Sequence, residues 1–410
     1  MKYSYATILK YIGLHFVLLA AVYCVTMFLI GRPVIPPISY LLRYDALRYY
    51  TICHEGYTYI ANAQSNVAFF PGFPYLWRFT GQGTYGIMLL NLVMFVAGLV
   101  LLCKRLAIKP KEMLLFLSLP PVFFIYLPYS EALFFLISSV LLIALYDDNS
   151  LLVMISLFSC SLCRSAANIF IPAIIIMEVI ASSNPKRVRN ILLYSLSSLA
   201  GVFVAAWIQF MQTGQWIGFI TTQKYWGNIL QMPRLPLHSW SWHNIAYLDG
   251  CSLLAGLCAI GMSVYYILRY ISKGERQDNK PYIFSLLFVS GLTVFSVAFK
   301  GGDLFSLNRY ILPTAFFALI LSKALQRVSL SSKHILIVLF LMNAYWLLFY
   351  SFLHIQVFLG YFVLSLYLCL YLVSNKKGWQ YNLAFGLLYM INLAVQVHLF
   401  YLFSMNMWVG

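Results

Sequence analysis

Residues 43–74 read RYDALRYYTICHEGYTYIANAQSNVAFFPGFP, and this polar and aromatic stretch interrupts a sequence that is otherwise close to continuously hydrophobic. It opens with Arg43, Asp45 and Arg48 and ends in an aromatic run that contains two prolines. A charged segment directly after a first apolar span is typical of a loop outside the bilayer, with short helices lying at the interface. We therefore expect an outer loop with short interfacial helices here.

Composition determines the broad class of the protein. The chain has 410 residues, of which 62% are hydrophobic and 9% charged, and its mean hydropathy is +0.82. A soluble domain carries about 25% charged residues, so this chain could not cover a water-facing surface. The net charge of +16 does not indicate nucleic-acid binding, because the basic residues form small groups between apolar runs. The prediction is an all-α polytopic membrane protein, with residues 1–410 forming a single integral membrane domain in a lipid bilayer.

Hydrophobic runs predict about thirteen transmembrane helices. They lie near 8–31, 84–103, 113–127, 131–146, 150–163, 165–182, 191–211, 251–270, 282–299, 309–325, 334–353, 355–373 and 382–403. Two of them, 113–127 and 150–163, are shorter than the roughly 20 residues that cross a bilayer upright. We expect such runs to form broken or buried helices inside the bundle.

The basic residues predict the orientation of the chain. With thirteen spans, five basic groups between spans fall on the same side as Lys2 and Lys10, which the positive-inside rule makes cytoplasmic. The groups are Lys104, Arg105, Lys109 and Lys111; Lys186, Arg187 and Arg189; Lys273, Arg276 and Lys280; Arg327 and Lys333; Lys376 and Lys377. Loops 32–83 and 212–250 then face outward. The chain has no Asn-x-Ser/Thr acceptor, which favours a bacterial inner membrane over the endoplasmic reticulum.

Asp45 allows two interpretations. Asp45 and Arg48 are three residues apart, which places them on one helical face and favours a local ion pair. Alternatively, Asp45 is a general base in a site whose charge is set by Arg43 and Arg48. Sequence spacing alone does not separate the two.

Glu131 also allows two interpretations. Ser130 followed by Glu131 is good helix-start chemistry, with a capping side chain and an acid in the first turn. A glutamate at the mouth of a membrane helix nevertheless needs a partner, and the outer arginines are candidates.

Outer cations suggest an anion site. Arg164 and Arg309 lie at the outer ends of predicted spans, close in sequence to polar motifs, and Lys300 shortly precedes Arg309. Snorkelling to lipid headgroups would explain either arginine alone. Arginines that converge on a cleft could instead bind a phosphate.

The second outer loop is rich in aromatic residues. Lys224 and Trp226 are typical of a membrane interface, with sugar stacking as the less common alternative. His238 and His243 are five residues apart without an acidic ligand beside them, so no metal site is predicted.

Several of these motifs resemble one family. The blocks Tyr44-Asp45, His54–Tyr57, Phe69–Pro74, Tyr129–Phe134 and Arg164-Ser165 are similar, in the same order, to those of the GPI mannosyltransferase II (PIG-V) family. The later blocks Gln223-x-x-Trp226-Gly227 and Asn308-Arg309-Tyr310 are looser matches, similar to bacterial relatives. The family's usual tryptophan before the aspartate is Tyr44 here, and Arg48 replaces a residue that is often aromatic or histidine.

The resemblance implies a GT-C fold and an inverting glycosyltransferase with its active site outside the cytoplasm. Such enzymes transfer a sugar, typically mannose, from a polyprenyl phosphate to a lipid-linked or GPI-like acceptor. The phosphate leaves as a stable anion, so one base suffices, and no cofactor is expected. We expect Asp45 to be the catalytic residue and Arg164, Arg309 and Lys300 to bind the donor phosphate. The residues expected to bind the substrates are Arg43, Arg48, His54, Glu131, Lys224 and Trp226. The alternative is a transporter of lipid-linked sugars, although no inverted repeat is visible in the sequence.

Overall fold

The computed structural model describes residues 3–165, 167–181, 185–239, 243–327, 332–349, 355–373 and 378–410. Within these ranges the chain is predominantly helical and contains no β-strand element, which confirms the all-α prediction. Three of the lysines used to predict orientation, Lys2, Lys376 and Lys377, lie outside the described residues.

The described helices have the following bounds. In chain order they are α1 Tyr5–Leu29, α2 Ile38–Leu41, α3 Asp45–His54, α4 Gly72–Thr80, α5 Thr84–Leu106, α6 Pro110–Ser118, α7 Glu131–Tyr146, α8 Ser150–Cys163, α9 Ala167–Ala181, α10 Arg187–Thr213, α11 Gly218–Thr221, α12 His243–Lys273, α13 Lys280–Phe299, α14 Leu307–Ile311, α15 Ala315–Arg327, α16 Ser332–Phe349, α17 Ile355–Val373 and α18 Trp379–Ser404. Short 3₁₀ helices occupy Asn66–Ala68, Pro120–Tyr126 and Thr222–Trp226.

The predicted hydrophobic spans all overlap helical structure, but the helices differ in length. Six of those in the described ranges, α1, α5, α10, α12, α13 and α18, are long and apolar enough to cross a membrane. A seventh span would be the 3₁₀ helix Pro120–Tyr126 together with α7, which is bent. Others, such as α8, are shorter apolar helices. These are the helices of an integral membrane protein, whereas the count of thirteen spans remains a prediction.

A sharp break precedes α7. The 3₁₀ helix Pro120–Tyr126 and α7 meet at 101°, and prolines at this break cannot donate backbone hydrogen bonds. Gln396 of α18 donates to the carbonyl of Leu119 at 3.1 Å. Asn91 of α5 donates to the carbonyl of Leu127 at 2.5 Å. Non-helical backbone in a membrane bundle requires such partners, and these two amides therefore stabilise the break from which α7 begins.

The two predicted outer loops pack against each other. The first contains α2, α3 and α4, so the short helices expected there are present. The backbone N–H of Ser65 donates to Thr222 Oγ1 at 3.2 Å, and the Tyr225 hydroxyl donates to Asn62 Oδ1 at 2.7 Å. The loops therefore form one layer over the same end of the bundle.

The helix α7 connects this layer to the opposite end of the molecule. It starts at Glu131 and is followed by Asp147, and its sixteen residues span about 24 Å. At the far end, Arg105 donates to Asp147 and Lys280 pairs with Asp148. Part of the basic clusters used to predict orientation therefore lies at the end of α7 away from α3.

Candidate active site

The helix α3 begins at the predicted catalytic carboxylate. Asp45 is its first residue, and the preceding Tyr44 has φ 52° and ψ −122°, a positive-φ conformation that residues with a side chain rarely adopt. The Tyr44 ring packs against Trp408 at 4.8 Å and Phe403 at 5.9 Å between ring centroids. Strained backbone that is held by its surroundings clusters at functional sites. The packing around Tyr44 thus fixes how the chain enters α3.

Asp45 belongs to a cluster of ion pairs. Arg309 Nη1 donates to Asp45 Oδ2 at 2.5 Å, and Arg309 Nε donates to Glu131 Oε1 at 2.6 Å. Arg164 Nη2 donates to the same Glu131 oxygen at 2.5 Å. Asp45, Glu131, Arg164 and Arg309 are called the ionic cluster below. Arg309 is 264 residues from Asp45 and 178 from Glu131 along the chain, so only the tertiary fold brings these charges together.

The two carboxylates of the cluster differ in exposure. The Glu131 side chain is 2% exposed, whereas that of Asp45 is 20% exposed. Glu131 Oε1 accepts both arginine hydrogen bonds, and its Oε2 is buried with no hydrogen-bond partner in the described part of the chain. Asp45 Oδ2 is held by Arg309, and Asp45 Oδ1 makes no hydrogen bond to the described residues. Asp45 is therefore the carboxylate that can receive a ligand.

Aromatic rings enclose Arg309. Its guanidinium carbon lies 4.5 Å from the ring centroid of Tyr129, 5.2 Å from that of Phe124 and 5.6 Å from that of Trp408. The side chain is 2% exposed. Such contacts stabilise a cation and keep water away from it, which strengthens its ion pairs. This burial does not fit the interpretation that Arg309 reaches lipid headgroups.

The three cations predicted at the donor phosphate lie around one ring, that of Tyr310. The Lys300 Nζ atom is 5.6 Å from the ring centroid, and the guanidinium carbons of Arg309 and Arg164 are 5.8 Å and 6.0 Å from it. Lys300 Nζ also donates to the carbonyl of Phe305 at 2.5 Å. The three cations therefore lie close to one another at this end of the bundle.

Ser130 connects three parts of the site. It is the N-cap residue of α7, but its side chain makes no capping hydrogen bond, so that part of the sequence interpretation is wrong. The hydroxyl instead accepts hydrogen bonds from the Tyr49 hydroxyl at 2.9 Å and from Arg164 Nε at 3.2 Å. Burial raises the pKa of the Tyr49 hydroxyl, which therefore stays protonated and able to donate. Ser130, at the start of α7, thus links Tyr49 of α3 to Arg164, which follows α8.

Two further predicted cations lie beside the first turn of α3. The local ion pair between Asp45 and Arg48 does not form, because the Arg48 guanidinium carbon lies 5.7 Å from the ring centroid of Trp226. Arg43 lies with its guanidinium carbon 5.5 Å from the ring centroid of Tyr40. Its Nε is buried and makes no hydrogen bond within the described ranges. The second outer loop, through Trp226, therefore reaches the neighbourhood of α3.

The structure does not bring two of the predicted substrate residues to the ionic cluster. His54 is exposed at the end of α3, stacks on Tyr50 at 4.0 Å, and lies about 13 Å along the helix from its start. Lys224 is exposed, with its Nζ 4.7 Å from the ring centroid of Tyr225. Their roles gain no support from the geometry. The side chain of His243 lies outside the described residues.

Sequence inspection missed residues that complete the site. Tyr49 follows Asp45 by four positions, which is the spacing of one helical face, so this signal was present. Trp408 had no comparable signal. It reaches Arg309 only because the chain after α18 folds back over the ionic cluster.

Comparisons with known proteins give no relative for this chain. No family model, no curated protein and no solved structure matches it. The function is therefore inferred from the chemistry of the site. The family resemblance of the sequence motifs remains a prediction.

Proposed function

We propose that this protein is an inverting membrane glycosyltransferase that transfers a sugar, mannose in the family it resembles, from a polyprenyl phosphate to an acceptor hydroxyl. The observation that carries the proposal is the geometry of Asp45. One of its oxygens is fixed by Arg309, and the other makes no hydrogen bond to the described residues. The three cations around Tyr310 lie at the same end of the bundle.

The reaction needs one base and an anion site. The acceptor hydroxyl attacks the anomeric carbon of the donor sugar, and its proton passes to Asp45 Oδ1. The bond between that carbon and the phosphate oxygen breaks with its electron pair, and polyprenyl phosphate leaves as an anion. Positioned bases contribute about 10²–10⁴-fold to such reactions, and fixed cations stabilise the charge that develops on the leaving group.

The cations fit a phosphate donor. A polyprenyl phosphosugar is a phosphodiester with one negative charge, and three cations lie around the Tyr310 ring. Arg164 is 18% exposed, and its Nη1 makes no hydrogen bond in the described part of the chain. Guanidinium groups bind phosphate oxygens through such N–H groups. Arg164 and Lys300 are therefore the principal donor ligands in this proposal.

Arg309 has a second role in the proposal. Its Nε–H and one Nη1–H already hold Glu131 and Asp45, so the second Nη1–H and the two Nη2–H groups remain to face a donor. Because the side chain is 2% exposed, its main contribution is to fix the direction of the Asp45 carboxylate. Glu131 accepts a hydrogen bond from both arginines and balances one of their two positive charges.

The opposed ends of α7 support an outer location for the site. Glu131 lies at one end and the basic residue Arg105 lies near the other, paired with Asp147. If the basic end is cytoplasmic, the ionic cluster faces the periplasm or the lumen. A reporter inserted within 273–280 should then be cytoplasmic, and one within 228–245 should be external. Both reporters on one side would contradict this arrangement.

The decisive experiment is a product assay. Purified full-length protein in lipid nanodiscs is incubated with polyprenyl-phosphate-mannose and with glycolipid, lipid-linked glycan or peptide acceptors, and products are identified by mass spectrometry. We expect release of polyprenyl phosphate and an acceptor that gains a hexose with inverted configuration.

The matched control is Glu55→Gln. Glu55 is an exposed carboxylate just after α3 that belongs to no ion pair of the described residues. This variant should retain wild-type turnover, whereas Asp45→Asn should lose it. A folded wild-type protein that moves intact donor across a membrane and leaves the sugar–phosphate bond unbroken would support the transporter alternative and contradict the proposal.

A further inference from the structure

Asp249 is a buried carboxylate outside the ionic cluster. It lies near the start of α12 with an exposure of 0%. Its Oδ1 accepts two hydrogen bonds from Asn308, one from the backbone N–H at 2.9 Å and one from the side-chain amide at 2.8 Å. Burying a carboxylate is unfavourable unless hydrogen bonds compensate, so the burial of Asp249 depends on these contacts.

Asn308 immediately precedes Arg309 in α14. This helix has only five residues, and isolated helices shorter than about 12 residues do not hold themselves together in water. Its orientation therefore depends on tertiary contacts, and Asp249 supplies two hydrogen bonds at the residue next to Arg309. Rotation of α14 would move the Arg309 guanidinium away from Asp45.

The second outer loop holds the other side of Asp249. The Ser239 hydroxyl donates to Asp249 Oδ2 at 2.6 Å. The adjacent residue His238 exchanges backbone hydrogen bonds with the segment before α14, through its N–H to Gly302 at 3.2 Å and its carbonyl from Leu304 at 2.8 Å. The same loop thus contacts both Asp249 and the entry to α14.

We propose that Asp249 is a positioning residue that sets Arg309, and through it Asp45, and that it couples the second outer loop to the site. This inference rests on the proposed function for its kinetic effect. The Arg309 hydrogen bonds of 2.5 Å and 2.6 Å leave little room for displacement, and a misplacement of about 1 Å at a site can cost roughly 100-fold in rate.

The kinetic test compares three variants. Asp249→Ala removes both hydrogen bonds that Asp249 accepts from Asn308 and should lower kcat about 10- to 100-fold, with a donor KM within about threefold of wild type. Asp249→Asn keeps the Oδ1 acceptor and should retain most of the turnover. Asn308→Ala removes only the side-chain hydrogen bond and should lower kcat roughly 3- to 10-fold. This variant provides the test if Asp249→Ala fails to fold. Asp303→Asn is the control, since Asp303 contacts the Phe305 backbone and not Asn308.

A second measurement does not depend on the activity. Amide hydrogen exchange over residues 307–312 should be faster in Asp249→Ala and Asn308→Ala, and unchanged in Asp249→Asn and Asp303→Asn. Equal losses of turnover in Asp249→Asn and Asp249→Ala would make Asp249 a chemical participant and overturn the inference, as would unchanged exchange in α14. Faster exchange in a protein with no transferase activity would support the positioning of α14 and refute only the proposed function.

Discussion

The two ends of α7 carry the same kind of ion pair in opposite surroundings. At its start, Glu131 and Arg309 are each 2% exposed and their hydrogen bond is 2.6 Å long. After its end, Asp147 is 30% exposed and its partner Arg105 is 45% exposed. One helix therefore places a buried pair and a surface pair about 24 Å apart.

The difference lies in what each pair contributes. Exposed pairs are worth about 0–1 kcal/mol because water and salt screen them. A buried pair gives little net stability compared with apolar residues. Removing one partner, however, leaves the other charge buried without a partner, which destabilises the protein by about 3–5 kcal/mol. The pair at Asp147 should therefore contribute little to stability, whereas burying the ionic cluster is unfavourable, and a site for charged chemistry would explain it.

Asp45→Asn should give the largest effect on turnover. Asparagine still accepts the hydrogen bond from Arg309 but cannot take a proton, so turnover should fall about 10²–10⁴-fold while thermal stability changes little. Both quantities are measured on one purified sample. A folded variant with wild-type turnover would show that Asp45 is not the catalytic base and has only a structural role.

Glu131→Ala should have the largest effect on stability. It leaves Arg164 without its carboxylate and Arg309 with only Asp45, so the free energy of unfolding should decrease by about 3–5 kcal/mol. Thermal unfolding in detergent compared with that of wild type measures this. A decrease below about 1 kcal/mol would show that the buried end behaves like the exposed one.

Arg164→Ala tests donor binding within the buried end. Glu131 keeps its bond to Arg309 in this variant, so the main loss should be a charge-assisted hydrogen bond to the donor phosphate, about 2–3 kcal/mol in kcat/KM. Steady-state kinetics with varied donor provides the measurement. Arg105→Ala, at the other end of α7, is the matched control and should leave kcat/KM at the wild-type value. If kcat/KM is also unchanged in Arg164→Ala, Arg164 does not bind the donor.

Asp147→Asn should have the smallest effect. It breaks only the exposed pair with Arg105, so the free energy of unfolding should change by less than about 1 kcal/mol and turnover should not change. The same unfolding assay that serves Glu131→Ala applies here. A loss as large as that of Glu131→Ala would abolish the distinction between the two ends.

Sequence reasoning identified the charged members of the site because such residues are rare in apolar segments. Asp45, Glu131, Arg164, Arg309 and Lys300 were each recognisable as ionisable groups at the predicted outer ends of helices. The structure brings these residues close together, but the sequence could not show which of them form hydrogen bonds and ion pairs with each other. A local pair of Asp45 with Arg48 was equally compatible with the spacing.

Sequence reasoning failed where a residue's surroundings decide its role. His54 lies in the same short helix as Asp45, yet the length of α3 separates the two. Ser130 has the sequence signature of a cap, but its hydroxyl accepts hydrogen bonds from Tyr49 and Arg164 instead. Local patterns describe neighbours within about four residues, and these roles depend on more distant ones.

The sequence by itself determined that the chain is a helical membrane protein, since its composition excludes a water-facing surface and its apolar runs overlap the helices. Only the tertiary structure decided that Arg309 bridges Asp45 and Glu131, that Asp249 holds α14, and that Trp408 covers the cluster. The physical reason is range. The hydrophobicity of each residue is a local property, so apolar runs can be recognised in the sequence alone. Hydrogen bonds and ion pairs instead require two atoms within about 3 Å of each other, and distant parts of the chain come that close only when it folds.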